Sequence, residues 1–431
     1  MEHMKTLLKN AKILSMKDDQ IREGHIVITD NRISEIGPQV DLNAKYDKVI
    51  DCEGNLLMPG FKDAHTHSAM TFLRSKADDS KLQDWLFKEI FPREDNLYKG
   101  CVYELGKVAL LEYLTSGITG VIDQYFFPEE FEKACKEYGF RCVNLIMYDP
   151  ISRDKETCYQ LIKCNEEKDG LVKAVIGLHS EYTPTEEMFK TTKEILDETS
   201  LPFYTHLSET AQEVEDCLVR RNVRPMKFFD DLHFFDRCGA IFHGVYLDDN
   251  DMDIIKKRNV IVVSNPASNM KLASGVAEIK KLLSKGITVA LGTDGPASNN
   301  ALDMFREMYL VTGLQKLLLK DPVSIPAFEV LKMATVNGAK AMNLSDGDTL
   351  EVGKLADIIM IDLSRPSMQP INNIINNLVY AGSKDCVKMT MINGKILYYN
   401  NEFFVGENIK DLYKRVQKLT EELSVIKKQI D

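Results

Sequence analysis

The sequence predicts an α/β protein: a (β/α)8 TIM-like barrel with a small β-sandwich domain built from both chain ends. The 431 residues are too many for one simple core. Between residues 59 and 343, eight short apolar runs alternate with stretches of helical periodicity. A (β/α)8 barrel typically needs about 250 residues. Short alternating runs and turns fill both ends of the chain, a pattern typical of antiparallel strands.

The composition excludes several classes of protein. Hydrophobic residues make up 44% of the chain and charged residues 28%, as in ordinary globular proteins. The net charge of −11 comes without a basic stripe, so nucleic acid is not expected as a partner. No apolar run approaches the roughly 18 residues of a membrane span, and the N-terminus lacks an apolar signal stretch. No membrane partner is therefore expected.

The cysteines favour a reducing environment. The chain has nine of them, scattered and without a Cys-x-x-Cys pair. An odd number cannot form a complete set of disulfides. We therefore expect reduced, mostly buried thiols in a cytoplasmic protein.

Residues 1–58 and 344–404 are predicted to form the β domain together. In the first part, two alternating runs flank the polar turn Asp30-Asn31, which indicates a hairpin. His25 lies in the first of these runs and is interpreted as structural. In the second part, Asn393-Gly394 is typical of a type I′ hairpin turn. Residues 405–431 are predicted to end in an amphipathic helix that packs on the protein's own surface, because apolar residues recur there at alternating spacings of four and three: Leu412, Val416, Leu419, Leu423, Ile426 and Ile430.

Residues 59–343 are predicted to form the barrel. Its first strand is the run before His65. The other seven are predicted at 118–123, 142–147, 174–178, 202–205, 240–242, 260–263 and 287–291. A doubly wound sheet is the alternative, but such a sheet usually carries a Gly-rich first turn, and the chain has no Gly-x-Gly-x-x-Gly.

Two histidines close the first of these strands. His65 and His67 are separated by one residue, so an extended strand projects both to the same face. Such a pair suits two imidazole ligands of a divalent metal, although alone it is a weak signal.

Further polar residues follow the other predicted strands. Barrel enzymes place their chemistry at the C-terminal strand ends. Of the eight histidines in the chain, His3, His25 and His233 lie elsewhere. The strand ends carry His65, His67, His179, His206, His243 and Asp294. This concentration of imidazoles with a carboxylate predicts a metal site.

The same residues suggest a hydrolytic reaction. Three neutral imidazoles and one carboxylate leave a divalent ion with a position open for water, whose pKa falls from 15.7 to about 7. Asp294, beside the metal, suits the base that takes the proton of this water. Glu209 suits the acid that protonates a ring nitrogen or leaving group. His243 suits a group that orients the water or polarises developing negative charge.

The fourth strand end indicates that one metal ion binds rather than two. Two-metal barrels of this type commonly bridge their ions with a modified lysine at that position. Here the position is His179, and Lys173 is predicted to lie before the strand. One divalent ion per subunit is expected; Zn2+ is favoured, with Fe2+ or Mn2+ as alternatives.

At these residues the chain resembles the amidohydrolase superfamily, and more narrowly the 5′-methylthioadenosine/S-adenosylhomocysteine deaminases. The resemblance covers essentially the whole chain. It is carried by His65-Thr66-His67, His206, His243 and the stretches 67–74, 85–87, 92–94, 264–269, 292–300 and 353–357.

The resemblance implies roles for individual residues. The metal ligands would be His65, His67, His206 and Asp294. Glu209 would shuttle a proton to the purine ring, and His243 would orient the water. Substrate contacts would come from Glu94, which would accept hydrogen bonds from ribose hydroxyls, and from His179, Glu209 and Asp294. Trp85, the one tryptophan, would form a wall of the pocket, although plain core packing is a nearly equal alternative.

Two departures from the family pattern bear on the substrate. The family binds the carboxylate of S-adenosylhomocysteine with arginines, the first of which falls near Met147 here, so only Arg153 could serve. Glu181 stands where a proline is usual and is expected to add negative charge near the site. A lost charge-assisted contact costs about 1.5–3 kcal/mol. Neutral substrates are therefore favoured over S-adenosylhomocysteine: 5′-methylthioadenosine, 5′-deoxyadenosine or adenosine.

The expected function is thus hydrolytic deamination of an adenosine-type nucleoside with release of ammonia. One alternative is the same site acting on another ring: guanine, a pterin, a triazine or a cyclic amide. Another is a non-catalytic relative, which should have lost metal ligands that this chain keeps. A homo-oligomer is the default expectation for a soluble enzyme.

Overall fold

The computed structural model describes residues 3–76, 78–80, 82–167 and 170–425. The strands near the N-terminus are β1 (Lys5–Leu14), β2 (Ile21–Thr29), β3 (Arg32–Gly37), β4 (Lys48–Asp51) and β5 (Leu56–Pro59). The strands in the middle of the chain are β6 (Phe61–Thr66), β7 (Ile118–Asp123), β8 (Arg141–Ile146), β9 (Val172–Gly177), β10 (Phe203–Leu207), β11 (Gly239–His243), β12 (Val260–Ser264) and β13 (Val289–Leu291). The last strands are β14 (Ile358–Ile361), β15 (Val387–Ile392), β16 (Lys395–Tyr399) and β17 (Glu402–Phe403).

Most helices follow the strands of the middle segment. They are α1 (Leu82–Asp84), α2 (Phe91–Glu94), α3 (Cys101–Thr115), α4 (Pro128–Tyr138), α5 (Lys155–Ile162), α6 (Glu186–Thr199), α7 (Ala211–Arg221), α8 (Pro225–Asp231), α9 (Asp249–Arg258), α10 (Pro266–Lys271), α11 (Ile279–Ser284), α12 (Met304–Leu319), α13 (Ala327–Ala334), α14 (Val336–Ala341), α15 (Ile374–Tyr380) and α16 (Ile409–Leu423). A π-helical turn, Trp85–Ile90, joins α1 to α2, and 3-10 turns occur at Ser68–Leu73, Lys163–Glu166, Pro366–Met368 and Lys384–Cys386.

The predicted barrel is confirmed. Strands β6 to β13 pair in chain order, each parallel to the next. The two ends of this series meet where the backbone N–H of Asp294 donates to the carbonyl of His65 over 2.9 Å. A Cβ at Gly292 would lie only 2.8 Å from that carbonyl oxygen, so glycine is needed for the close approach. The barrel therefore brings the first and last strand ends side by side.

The two chain ends form a mixed sheet in the order β17-β16-β15-β14-β5-β1-β2-β3, with β4 paired to β1. Both predicted hairpins are present: β2 pairs with β3 and β15 with β16, antiparallel in each case. Asn393 and Gly394 have φ of 52° and 77°, as a type I′ turn requires. Apolar side chains such as Leu8, Ile358 and Met389 give this sheet a core of its own. The domain boundaries at 58/59, 343/344 and 404/405 stay a proposal.

A buried ionic cluster joins the base of the barrel to this sheet. Asp357 accepts hydrogen bonds from Arg141 Nε over 2.7 Å and Nη2 over 3.1 Å. Lys62 Nζ lies 4.0 Å from Asp357 and donates to the Thr119 hydroxyl and the carbonyl of Gly60. Burial lowers the pKa of Lys62 to about 8. The cluster lies at the N-terminal strand ends, opposite the predicted site.

Helix α16 buries the predicted apolar stripe of Leu412, Val416, Leu419 and Leu423 in the main core. Ile426 and Ile430 of the same prediction lie outside the described residues. None of the helices in the described ranges is long and apolar enough to cross a bilayer. All nine cysteines are free thiols, of which Cys238 alone is exposed.

Candidate active site

The C-terminal strand ends surround a cleft. The lining combines the predicted polar residues with apolar and aromatic ones. It consists of His67, Met70, Leu82, Trp85, Leu86, Phe91, Glu94, Gln124, Tyr125, Phe126, Met147, His179, Tyr182, His206, Glu209, Glu213, His243, Leu272 and Asp294. This is the composition of a small-molecule site, mostly apolar with a few convergent polar groups.

Hydrogen bonds to oxygen acceptors fix the rings of three histidines. His67 Nδ1 lies 2.5 Å from the carbonyl of Gln124, and His206 Nδ1 lies 2.7 Å from that of His179. His243 Nδ1 lies 2.7 Å from Asn269 Oδ1. Each Nδ1 therefore carries a proton, which leaves Nε2 as the nitrogen that can bind a metal. Outer hydrogen bonds of this kind orient metal-ligating imidazoles in proteins.

His65 lacks such a partner altogether. Its side chain is fully buried, and neither ring nitrogen forms a hydrogen bond with the described residues. Burial lowers the pKa of His65 to about 3, so its ring is neutral. Since buried polar groups are nearly always satisfied, these orphaned nitrogens indicate a missing ligand.

Asp294 completes a set of metal-binding atoms. One ligand atom from each of His65, His206, His243 and Asp294 lies within 4.8 Å of the others. His67 Nε2 is also only 3.2 Å from Asp294 Oδ1. Asp294 Oδ2 accepts from the hydroxyls of Ser268 over 2.5 Å and Ser298 over 2.7 Å, which leaves Oδ1 to face the histidines.

This donor set fits a divalent metal ion. Neutral imidazoles with one carboxylate are the ligands of catalytic zinc sites. The orphaned nitrogens of His65 support the same interpretation. His243 shares the 4.8 Å group with the predicted ligands His65, His206 and Asp294. That group does not include His67, which stays a predicted ligand because its Nε2 contacts Asp294 Oδ1, whereas His243 Nε2 lies 3.8 Å from Glu209.

Left-handed backbone conformations aim three residues at the strand ends. Ser208, His243 and Asp294 have φ of 54°, 71° and 59°. Residues other than glycine rarely adopt this conformation, and where they do the surrounding structure must hold them. Here the backbone N–H groups of Ser208 and Asp294 are held by Glu213 and by the carbonyl of His65. Three of the chain's left-handed non-glycine residues therefore lie at the polar cluster.

Glu209 is buried beside the histidines rather than exposed in a loop. Its Oε1 accepts from the Ser274 hydroxyl over 3.0 Å, and its Oε2 lies 3.8 Å from His243 Nε2. Burial raises the pKa of Glu209 above its usual range. A carboxyl group with a raised pKa can hold and deliver a proton near neutral pH.

A second wall of the cleft carries Glu94 and Trp85. Glu94 Oε1 accepts from the Tyr125 hydroxyl over 2.7 Å, and burial raises the pKa of Glu94 to about 7. Trp85 begins the π-helical turn, is 4% exposed and lines the cleft. Its Nε1 has no hydrogen-bond partner among the described residues. His179 also lines the cleft, and burial lowers its pKa to about 4.

Three sequence-based placements need correction. Arg153 is not part of the lining: its guanidinium donates to the carbonyl of Met147 and so lies next to the cleft wall. Glu181 is fully buried and paired with Arg220, so it adds no free charge to the cleft. Lys173 lies within β9, not before it, and donates to the backbone carbonyls of Asn165 and Glu167 in the preceding turn. The Glu181 placement failed because the sequence does not show which partner a charged side chain meets. The Lys173 placement failed because β9 begins at Val172, two residues before the predicted start at Ala174. Substrate binding by Arg153 stays a prediction.

Several supporting residues were missed. They are Ser268, Ser298, Asn269, Ser274, Gln124, Tyr125 and Glu213. Glu213 accepts from the backbone N–H groups of Ser208 and Glu209 over 2.7 Å each. Thr210 and Glu213 match the Thr-x-x-Glu pattern of a capping box, which could have drawn attention to this local constraint on Glu209.

Comparisons with known proteins agree with this geometry. Residues 56–397 match the model of the amidohydrolase family. A 5-methylthioadenosine/S-adenosylhomocysteine deaminase of Thermoanaerobacter pseudethanolicus is 39% identical over 96% of this chain and 99% of that protein. A 5′-deoxyadenosine deaminase of Methanobrevibacter smithii is 36% identical over 97% and 98%. The crystal structure of an adenosine deaminase from Xanthomonas campestris with bound zinc superposes with a TM-score of 0.90 at 28% identity, covering 97% of this chain and 98% of that one.

Proposed function

Since the chain belongs to the amidohydrolase family, we propose that it is a metal-dependent hydrolytic deaminase of adenosine-type nucleosides. The reaction replaces the exocyclic amino group of the purine with oxygen from water and releases ammonia. The observation that carries this proposal is the buried carboxyl of Glu209, 3.8 Å from His243 and beside the histidine–aspartate cluster. The names of the relatives support the substrate class.

The described residues divide the chemistry among them. His65, His67, His206 and Asp294 would hold the metal, which when bound supplies a water that is nucleophilic at neutral pH. Asp294 would take one proton from the attacking water and pass it to the departing amino group, which leaves as ammonia. Glu209 gives a proton to the ring nitrogen next to the attacked carbon. The Nε2 of His243 orients the water, because Asn269 fixes the ring through Nδ1.

The charged residues of the cleft lining favour a neutral 5′-substituent. Its lining, within the part of the chain that the structure describes, contains no lysine and no arginine. Carboxylates are present instead: Glu94, Glu209, Glu213 and Asp294. An amino-acid carboxylate such as that of S-adenosylhomocysteine would find no cation there. The 5′-methylthio, 5′-deoxy and 5′-hydroxyl nucleosides fit better, with Glu94 accepting from the ribose hydroxyls.

Ammonia release from a panel of substrates tests this proposal. The panel contains 5′-methylthioadenosine, 5′-deoxyadenosine, adenosine, S-adenosylhomocysteine, guanine and a pterin, each with metal-replete enzyme. We expect turnover of the neutral adenosines, with S-adenosylhomocysteine far behind. Activity on guanine or the pterin alone would overturn the nucleoside assignment and favour another ring. Preference for S-adenosylhomocysteine would show that Arg153 or a second subunit supplies the missing cation.

The metal ion itself is proposed to be zinc. We favour one Zn2+ per subunit over Fe2+ or Mn2+, because imidazole and carboxylate suit zinc and the Xanthomonas structure contains it. Metal analysis of the purified protein, followed by chelation and readdition of each ion, tests this. Zinc near one equivalent and recovery by zinc are expected, whereas two equivalents would contradict the single-metal prediction.

We also propose that the protein is cytoplasmic and forms a homo-oligomer. Nine free thiols are compatible with a reducing cytoplasm. A symmetric homo-oligomer is the default for soluble enzymes. Fractionation and light scattering of the purified chain would test the two statements separately.

A further inference from the structure

Glu307 is a buried carboxylate that the proposed reaction does not use. It lies in the first turns of α12, is 0% exposed and does not line the cleft. The start of α12 is already capped by Asp303, whose side chain accepts from the backbone N–H of Phe305. Glu307 is therefore not needed to cap its own helix, and its burial calls for another explanation.

Both oxygens of Glu307 bind segments from outside α12. Oε2 accepts from the backbone N–H of Ala267 over 2.9 Å, and Oε1 accepts from Asn299 Nδ2 over 2.8 Å. Asn299 Nδ2 also donates to the carbonyl of Thr293 over 2.6 Å. One carboxylate thus connects the start of α10 with the loop that follows β13.

Each of these two segments delivers a side chain to Asp294. Ser268, next to Ala267, and Ser298, next to Asn299, both donate to Asp294 Oδ2. The residue after Ser268 is Asn269, which holds Nδ1 of His243. The same carboxylate therefore anchors the supports of both the proposed metal ligand and the proposed water-orienting histidine.

We propose that Glu307 is a positioning residue for Asp294 and His243, acting through Ser268, Asn269 and Ser298. This inference rests on the proposed function. Both partners of Glu307 are N–H donors, so each of its two oxygens acts as an acceptor and the side chain fixes two segments at once. Outer contacts of this kind set the orientation of metal ligands.

The test is Glu307→Gln, which keeps the shape of the side chain. The amide retains one oxygen acceptor but places an N–H group against the N–H of Ala267 or the amide of Asn299. We expect kcat and the affinity for Zn2+, measured by chelator competition, to fall by about 10–100-fold, as for other outer-shell changes. KM should change little, because Glu307 does not touch the cleft.

A double-mutant cycle distinguishes positioning from general stability. In a Ser268→Ala, Ser298→Ala background, Glu307→Gln should cost much less zinc affinity than in the wild type, since its effect on Asp294 acts through those hydroxyls. Asp251→Asn is the matched control: Asp251 is a buried carboxylate that caps α9 and does not line the cleft. It should lower the melting temperature while leaving kcat and zinc affinity unchanged.

Two results would overturn the assignment. One is a Glu307→Gln protein that loses only thermal stability, like the control. The other is a Glu307→Gln variant whose loss of zinc affinity is the same in the serine double variant as in the wild type. Should Glu307→Gln fail to fold, Asn299→Ala removes one of the two contacts and should show the same losses to a smaller extent; unchanged kcat and zinc affinity there would equally count against the role.

The proposed function can fail separately. Wild-type protein that binds zinc but releases no ammonia from any adenosine would refute the substrate class, while the zinc affinities of wild type and Glu307→Gln would still decide the role of Glu307. Wild-type protein that binds no divalent metal would overturn both.

Discussion

Strand β6 carries a buried polar side chain at each end, Lys62 and His65, and the two ends differ in how these side chains are satisfied. At the base, Lys62 donates to Thr119 and Gly60 and lies close to the Asp357–Arg141 pair. At the rim, neither ring nitrogen of His65 forms a hydrogen bond with the described residues, and Nε2 lies 3.5 Å from Asp294 Oδ1. Burial is complete at both positions.

This difference distinguishes a cluster that stabilises the fold from one that binds a ligand. A buried polar group without a partner costs about 1–3 kcal/mol, so a fold keeps one only where something else compensates. The base cluster is closed on itself and joins the barrel to the mixed sheet. The rim cluster stays open toward the cleft, as do Trp85 Nε1 and Gln124 Oε1. Unsatisfied hydrogen-bonding atoms that face the cleft at one end of the barrel therefore mark the binding site.

The largest effect is expected from Glu209→Gln at the rim. The amide cannot deliver the proton that the ring nitrogen needs, and positioned acids contribute about 100- to 10,000-fold. We expect kcat for 5′-methylthioadenosine to fall by that factor while the metal content stays unchanged. Ammonia release and metal analysis on the same sample measure both. Full activity of this variant would remove the assigned role.

At the base, Asp357→Asn should act on stability instead. It leaves Arg141 and Lys62 buried without a counter-charge, and breaking such a pair costs about 3–5 kcal/mol. Urea unfolding at pH 7 should show this loss, whereas kcat of the folded protein should stay near that of the wild type. Glu23→Gln, in an exposed pair with Lys12, is the control and should change little.

The same cluster has a pH signature. Burial alone would raise the pKa of Asp357, but Arg141 and Lys62 outweigh it and lower this pKa below its usual value. Its stabilising contribution is therefore present above the unfolded-state pKa and is lost as the pH falls through the folded-state value. Asp357→Asn has none of this contribution to lose. If the free energy of unfolding fell equally with pH in the wild type and in Asp357→Asn, the pairing of Asp357 would not be the cause.

A cation introduced into the cleft wall would test the contrast between base and rim at the rim. Met147 lines the cleft, and Met147→Arg would add the charge that the wall lacks. A charge-assisted contact of about 1.5–3 kcal/mol should raise the kcat/KM ratio of S-adenosylhomocysteine to 5′-methylthioadenosine by about 10–100-fold. Met147→Leu controls for the loss of the methionine. An unchanged ratio would show that the 5′-substituent does not reach this wall.

The smallest effect concerns Glu94 and pH. Burial raises its pKa to about 7, so the carboxylate that would accept from the ribose hydroxyls becomes protonated as the pH falls below that value. We expect KM for 5′-methylthioadenosine to rise severalfold between pH 8 and 6, a change of about 1 kcal/mol. Glu94→Gln should have a higher KM with no such trend. A parallel trend in both proteins would assign the pH effect to another group.

Local pattern was sufficient for much of this molecule. The alternation of apolar runs and helical stretches predicted the eight barrel strands. This was possible because buried strands and amphipathic helices produce apolar patterns that repeat every few residues. The Asn393-Gly394 turn was equally local. Position after a strand was enough to select His65, His67, His206, His243 and Asp294, since all parallel strands of a barrel end at the same rim.

The partners of charged side chains were decided by tertiary structure. Arg153 donates to Met147 and Glu181 pairs with Arg220. Glu307 reaches Ala267 and Asn299 from a helix that follows them in the chain. Sequence position reports which strand end a residue follows, because the fold repeats that geometry. The direction of a long side chain depends instead on distances of a few ångströms between elements far apart in the chain, and these exist only once the barrel has closed.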